Sequence, residues 1–163
     1  MKLSREETVE LAKSYAEKGL MCSEAVLLTI CDFLGIENKS IPAIATGFGA
    51  GIGGCSSVCG ALSGGIMGLG IRFGRSMPLP EETQSQRRVY WFAQELISKF
   101  SETHNSYICK ELTGCDFNEP GGREKFNKEK HWERTCREII GSVTGLVYDI
   151  LIEKEEVLST GSA

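Results

Sequence analysis

A chain of 163 residues can bury one substantial hydrophobic core and is short for two, so a single domain is expected. A hydrophobic share of 41% and a charged share of 25% exclude a disordered or fibrous chain. The net charge of −4 provides no basic face of the kind phosphate backbones require, so nucleic acid is not an expected partner.

The opening stretch, "MKLSREETVELAKSY", carries charges through its first turns and has no apolar core of a secretory signal, which points to a cytoplasmic, reducing setting. Val9, Leu11, Ala12, Tyr15 and Ala16 recur at helical spacing, and Ser4 with Glu7 fits a capping box. A first helix is predicted from Arg5 to Lys18, closed by Gly19. A second follows from Cys22 to Leu34, closed by Gly35, so Cys22 falls at a helix N-terminus.

From Ser40 to Ile71 there are 32 residues without a charge. Pro42 and the eleven glycines from Gly47 to Gly74 penalise one long span, so membrane insertion is not expected. The reading is a short helix from Pro42 to Thr46, a glycine-rich turn to Gly54 and a buried helix from Ser57 to Phe73. Within that helix Gly60, Gly64 and Gly68 form a stripe without side chains, which lets another backbone approach. The stripe suits internal packing or a homodimer.

After "RSMPLP" a long helix is predicted from Glu81, with Val89, Phe92, Ala93, Leu96, Ile97 and Phe100 on one face. A short helix from Ser106 to Leu112 is closed by Gly114. "CDFNEPGGREKFNKEKH" reads as a polar loop with one helical turn. Arg87-Arg88 and the run from Arg123 to Lys130 read as solvated faces. The last helix is predicted from Trp132 to Lys154, with Cys136, Ile139, Ile140, Val143, Leu146, Val147, Ile150 and Leu151 facing the core and Gly141 and Gly145 leaving room. No stretch alternates with period two. The expected fold is all-α, a single domain over residues 1–158 with five to six helices in bundle-like or orthogonal packing around a glycine-rich buried helix, and a frayed tail at 159–163.

Seven cysteines stand at positions 22, 31, 55, 59, 109, 115 and 136. An odd count in a chain of this size does not fit a secreted disulfide framework, so chemistry is the better reason for them. None forms a CxxC or CxxCH motif, which removes thioredoxin-type, zinc-ribbon and locally attached haem readings. Cys31, in "LLTICDFL", reads as a small buried hydrophobe. Cys55 and Cys59 share a face if the buried helix begins early. His104 and His131 read as surface side chains. Each lies five residues from a cysteine, Cys109 and Cys136 respectively, the wrong helical phase for a catalytic pair. P-loop, dinucleotide and GxSxG motifs are absent.

"CGALSG" at Cys59 to Gly64, with "MCSEAV" upstream and "YICKELTG" and "ERTCREII" downstream, resembles the C_GCAxxG_C_C family of redox-active proteins across roughly Leu11 to Leu151. Val58 departs from the pattern, standing where the family name has glycine. The resemblance implies that Cys22, Cys59, Cys109 and Cys136 act together, with Gly60, Ala61 and Gly64 as packing context. It extends in part to the non-haem region of split-Soret cytochromes and so implies electron-transfer company, a redox partner protein included.

On that basis the leading expectation is a thiol redox protein, with the four cysteines approaching each other as catalytic thiols of an oxidoreductase. Helix N-termini at Cys22, Cys59 and Cys109, and Arg134 and Arg137 beside Cys136, would favour thiolate. Glycine at 60 and 64 would let a second sulfur come within bonding range. The alternative is that the same four residues bind metal, either zinc or an iron–sulfur cluster, in a carrier or sensor. A third reading is a helical interaction module without redox chemistry.

Overall fold

The computed structural model describes residues 3–78 and 83–159. Seven α-helices follow in order: α1 (Arg5–Glu17), α2 (Cys22–Leu34), α3 (Gly60–Phe73), α4 (Gln84–His104), α5 (Cys109–Thr113), α6 (Gly122–Lys128) and α7 (Arg137–Ser159). A short 3₁₀ helix (Ala43–Phe48) follows α2, and a π-helical turn (Trp132–Cys136) runs directly into α7. The all-α expectation holds: the described residues contain no strand, only an isolated antiparallel bridge between Val58 and Ile108.

The caps explain the first two helices. Ser4 Oγ accepts the Glu7 N–H and Glu7 returns the bond to the Ser4 N–H at 2.8 Å, which fixes the start of α1. Gly35 ends α2 with φ of 67°, as its sequence position predicts. The long fourth helix is capped by Thr83, which accepts the Gln86 N–H, while the predicted start at Glu81 lies outside the described residues, as do tail residues 160–163. Several boundaries differ from the prediction, among them the start of α5 at Cys109 instead of Ser106 and the start of α7 at Arg137, after the π-helical turn, instead of Trp132. α3 starts at Gly60 because Ser57 and Cys59 are engaged with the 107–109 segment, α7 runs five residues past Lys154, and residues 122–128 form a helix rather than one turn within a loop.

The core lies where α2, α3, α4 and α7 meet. Leu62 and Leu69 of α3, Val26 and Ile30 of α2, Leu96 and Phe100 of α4, and Ile140, Val143, Val147 and Ile150 of α7 are all buried there. The glycines set the helix spacings. An added Cβ at Gly64 would lie 2.5 Å from the Ser23 carbonyl oxygen, and one at Gly68 would lie 2.7 Å from Ile30 Cγ2, so the α3 stripe lies directly on α2. That internal packing occupies the face that a second copy would have used. Gly141 and Gly145 of α7 likewise admit the Lys13 and Arg5 side chains of α1, whose charges reach Glu138 and Asp149. Among the described residues no helix is long and apolar enough to cross a membrane.

Candidate functional site

Four separate pieces of backbone carry Cys22, Cys59, Cys109 and Cys136 to the wall of one cavity of about 390 Å³. Cys22 is the first residue of α2, Cys59 the N-cap of α3, Cys109 the first residue of α5 and Cys136 the last residue of the π-helical turn. π-Helical turns recur at functional sites because they re-aim a side chain within a helix. Met21, Gly60, Leu112, Phe117, Arg123, Phe126, Trp132 and Ile139 complete much of the wall, so the lining is largely apolar.

Two local devices hold the cysteines. The Val58–Ile108 bridge is flanked by the Cys59 N–H donating to the Tyr107 carbonyl at 2.9 Å and the Cys109 N–H donating to the Ser57 carbonyl at 2.6 Å, which sets Cys59 and Cys109 side by side. The loop before α3 supplies the second. Ala50, Gly51, Ile52, Gly53, Gly54 and Ser56 all have positive φ, a coil that turns successive amides in new directions. Its Ala50 amide, with those of Ser23, Cys22 and Ala61, is directed at the Cys22 sulfur. Gly60 makes the space: a Cβ there would sit 2.5 Å from Cys22 Sγ and 2.7 Å from the Phe48 carbonyl. Ala61 is fully buried behind it.

Glu24, only 8% exposed, ties these pieces together. Its carboxylate accepts the Met21 N–H at 2.7 Å and the Thr46 hydroxyl at 2.5 Å, joining the start of α2 to the 3₁₀ helix.

The expected thiolate character is reversed. Burial pushes the Cys59 thiol up to about 12, and the nearby Cys22 adds to the shift against the amides of Leu62 and Ala61. Burial likewise raises Cys109 to about 11, with Cys22 and Cys115 contributing. Cys22 is raised by burial despite its four amides. Cys136 is raised by burial and then by Cys22, Cys59, Cys109 and Cys115, while Arg137, expected to help it, pairs with Glu17 instead. Helix-terminal amides are present, but removing four thiols from water beside one another outweighs them.

The other cysteines separate clearly. Cys31 is 1% exposed and packs with Leu27 and Ala45, as a small hydrophobe would. Cys55 is exposed in the loop, and because α3 begins at Gly60 it shares no helical face with Cys59. Cys115, given no role from the sequence, is 1% exposed beside the pocket. The two histidines are half-buried rather than surface groups. His104 Nε2 lies 2.9 Å from Ser142 Oγ with its ring 4.5 Å from that of Phe100, and His131 lies against Glu129 and Thr135. The segment read as a solvated loop also supplies Phe117, Arg123, Phe126 and Asn127 to the cavity wall, Arg123 lying over the Phe117 ring at 5.3 Å. Its Phe-to-Phe spacing, with both rings against each other at 5.2 Å, is the one sequence signal of that apolar face.

Among the described residues, one set of three Cys, His, Asp or Glu side chains has ligand atoms all within 4.8 Å of one another, and it is Cys115, Glu129 and His131. The four pocket thiols are spread more widely than that.

No curated protein and no solved structure matches the chain. The model of the family described as "Putative redox-active protein (C_GCAxxG_C_C)" matches residues 20–150, and the chain belongs to that family.

Proposed function

We propose that this protein is an electron carrier whose redox centre is an iron–sulfur cluster held by Cys22, Cys59, Cys109 and Cys136. The observation that carries this reading is the convergence of these four thiols, from four backbone segments, on one largely apolar cavity of about 390 Å³. Four thiolates are the usual donor set of such clusters, and of tetrahedral zinc. Spacing favours the cluster. Zinc–sulfur bonds of about 2.3 Å place tetrahedral sulfurs about 3.8 Å apart, whereas no three of these four sulfurs all lie within 4.8 Å of one another. A polynuclear cluster is larger and spreads its ligands further.

When bound, the cluster supplies one-electron chemistry. The chain's own residues do the rest. The amides of Ala50, Ser23 and Ala61 directed at the Cys22 sulfur stabilise negative charge there, and such bonds raise a cluster's reduction potential. Leu112, Trp132 and Ile139 exclude water, and Arg123 at the wall offsets net negative charge. Gly60 keeps the approach to Cys22 open.

The dithiol reading has less support from this geometry. Exchange needs an accessible thiolate, and all four thiols here are raised by burial, three of them at most 8% exposed. A cytoplasmic, reducing compartment suits either form of the centre.

Electron paramagnetic resonance on anaerobically purified protein, before and after dithionite, tests the proposal. A cluster gives an iron–sulfur signal in one oxidation state and visible absorption that bleaches on reduction. A spectrum with neither, from protein that keeps its helical circular dichroism, refutes it.

A further inference from the structure

We propose that Cys115, Glu129 and His131 form a second metal site, separate from the four-cysteine pocket, that takes a divalent transition ion of the zinc class. Thiolate, imidazole and carboxylate are the three side-chain donors zinc uses, and here their ligand atoms all lie within 4.8 Å of one another. A thiolate, a carboxylate and a neutral imidazole, the forms in which these side chains bind metal, together carry two negative charges, which match one divalent ion. Three protein ligands leave a fourth position for water or an incoming ligand.

The chain builds this constellation from two places. Gly114, with φ of 65°, ends α5 and turns the backbone so that Cys115 is buried at 1% exposure. The Thr113 hydroxyl accepts the Cys115 N–H at 3.3 Å and holds that turn. On the other side Glu129 closes α6, Lys130 takes φ of 55°, and His131 opens the π-helical turn. The left-handed residue between them brings Glu129 Oε2 within 2.9 Å of His131 Nε2.

The orientation of the imidazole fits ligation. Nδ1 lies 3.2 Å from Thr135 Oγ1, which leaves Nε2 for the ion beside the carboxylate, the second-sphere arrangement that fixes the tautomer of a ligating histidine. The Phe126 ring, 5.7 Å from that of His131, shields one side, and Glu129 keeps the other open to solvent. A surface His–Glu ion pair would need no buried thiol facing it.

The site lies next to the pocket without sharing its ligands. Thr135 directly precedes Cys136, and the charge of Cys115 bears on both Cys109 and Cys136. An ion here therefore braces the π-helical turn that carries Cys136.

The test uses the full-length protein as purified, dialysed against zinc and assayed for zinc, iron and sulfide, with cobalt(II) as a spectroscopic probe of thiolate ligation. Wild type should bind one zinc and give a thiolate-to-cobalt charge-transfer band. His131→Gln, at a half-buried position, and Glu129→Gln, at an exposed one, should each weaken zinc binding by about tenfold or more. Cys115→Ser should lose the charge-transfer band. Cys22→Ser should keep the zinc whatever happens to iron, which separates this site from the pocket. A zinc-induced rise in melting temperature should vanish in His131→Gln. Zinc that follows Cys22 rather than His131, or wild type that binds no zinc, overturns the proposal.

Discussion

The contact between α3 and α2 predicts that one substitution will have opposite effects at two positions of the same helix. An alanine Cβ at Gly64 would lie 2.5 Å from the Ser23 carbonyl oxygen, 0.9 Å short of the 3.4 Å at which ordinary contact begins, and 3.2 Å from the Ser23 carbonyl carbon and Cα. The obstacle is backbone, so no rotamer change relieves it and the helices must part. Overpacking costs about 1–3 kcal/mol, and an obstacle that is backbone puts Gly64 in the upper part of that range, about 2–3 kcal/mol. Alanine's better helix propensity returns about 0.8–1.0 kcal/mol, leaving a net loss of about 1–2 kcal/mol. For a chain of this size that lowers the melting temperature by about 2–8 °C. At Gly70 an added Cβ meets nothing within 4 Å, so Gly70→Ala should gain about 0.5–1 kcal/mol. Urea and thermal unfolding of the two variants beside wild type measure both signs. Ser23 follows Cys22, so Gly64→Ala should also bind less iron. A Gly64→Ala protein as stable as wild type, or a Gly70→Ala protein destabilised to the same degree, would refute the close-packing argument.

Removing the Glu24 carboxylate leaves the Met21 N–H and the Thr46 hydroxyl without their partner, so Glu24→Ala should cost about 1–3 kcal/mol in urea unfolding and loosen Cys22. An unchanged midpoint would show that water replaces the carboxylate at no cost. Leu69→Ala, a fully buried truncation in α3, should cost about 2–5 kcal/mol, and a loss below about 1 kcal/mol would mean the core collapses around it. Chelator-treated, reduced protein should lose stability in alkali. Folded Cys31 and Cys109 sit near 11 and Cys59 near 12, against about 8.5 for an unfolded thiol. The fold therefore binds these protons more tightly, and the stabilisation is full below about pH 8.5 and is lost as pH rises through 11 and 12. A urea midpoint that stays flat from pH 8 to pH 11 would contradict the buried, neutral thiols.

Where the sequence carried local rules, it was legible. α2 begins and ends on the predicted residues because Gly35 can end the helix with a positive φ, and the Gly60, Gly64, Gly68 repeat announced a close helix contact, realised here with Cys22, Ser23 and Ile30 of α2. The meeting of Cys59 with Cys109 was not legible from periodicity, since it depends on a bridge one residue pair long between segments fifty residues apart. Nor was the coil before α3, where Ala50, Ile52 and Ser56 take positive φ that composition assigns only to glycine. Thiol acidity was misjudged because helix-terminal amides can be read from position, whereas burial and mutual proximity cannot. The sequence reads α6 as a single turn because its outer face is charged and only Gly122 and Phe126 are buried or half-buried, and with the rest of it went the Cys115, Glu129 and His131 constellation.

The most direct test of the redox centre is iron and acid-labile sulfide content across single Cys→Ser variants of anaerobically purified protein. The account predicts that iron and sulfide are present together in wild type, are lost from the variants at Cys22, Cys59, Cys109 and Cys136, and are kept at Cys31 and Cys55. Colourless, iron-free wild type that loses two of those four thiols reversibly to one equivalent of oxidant would contradict it and establish a dithiol centre instead.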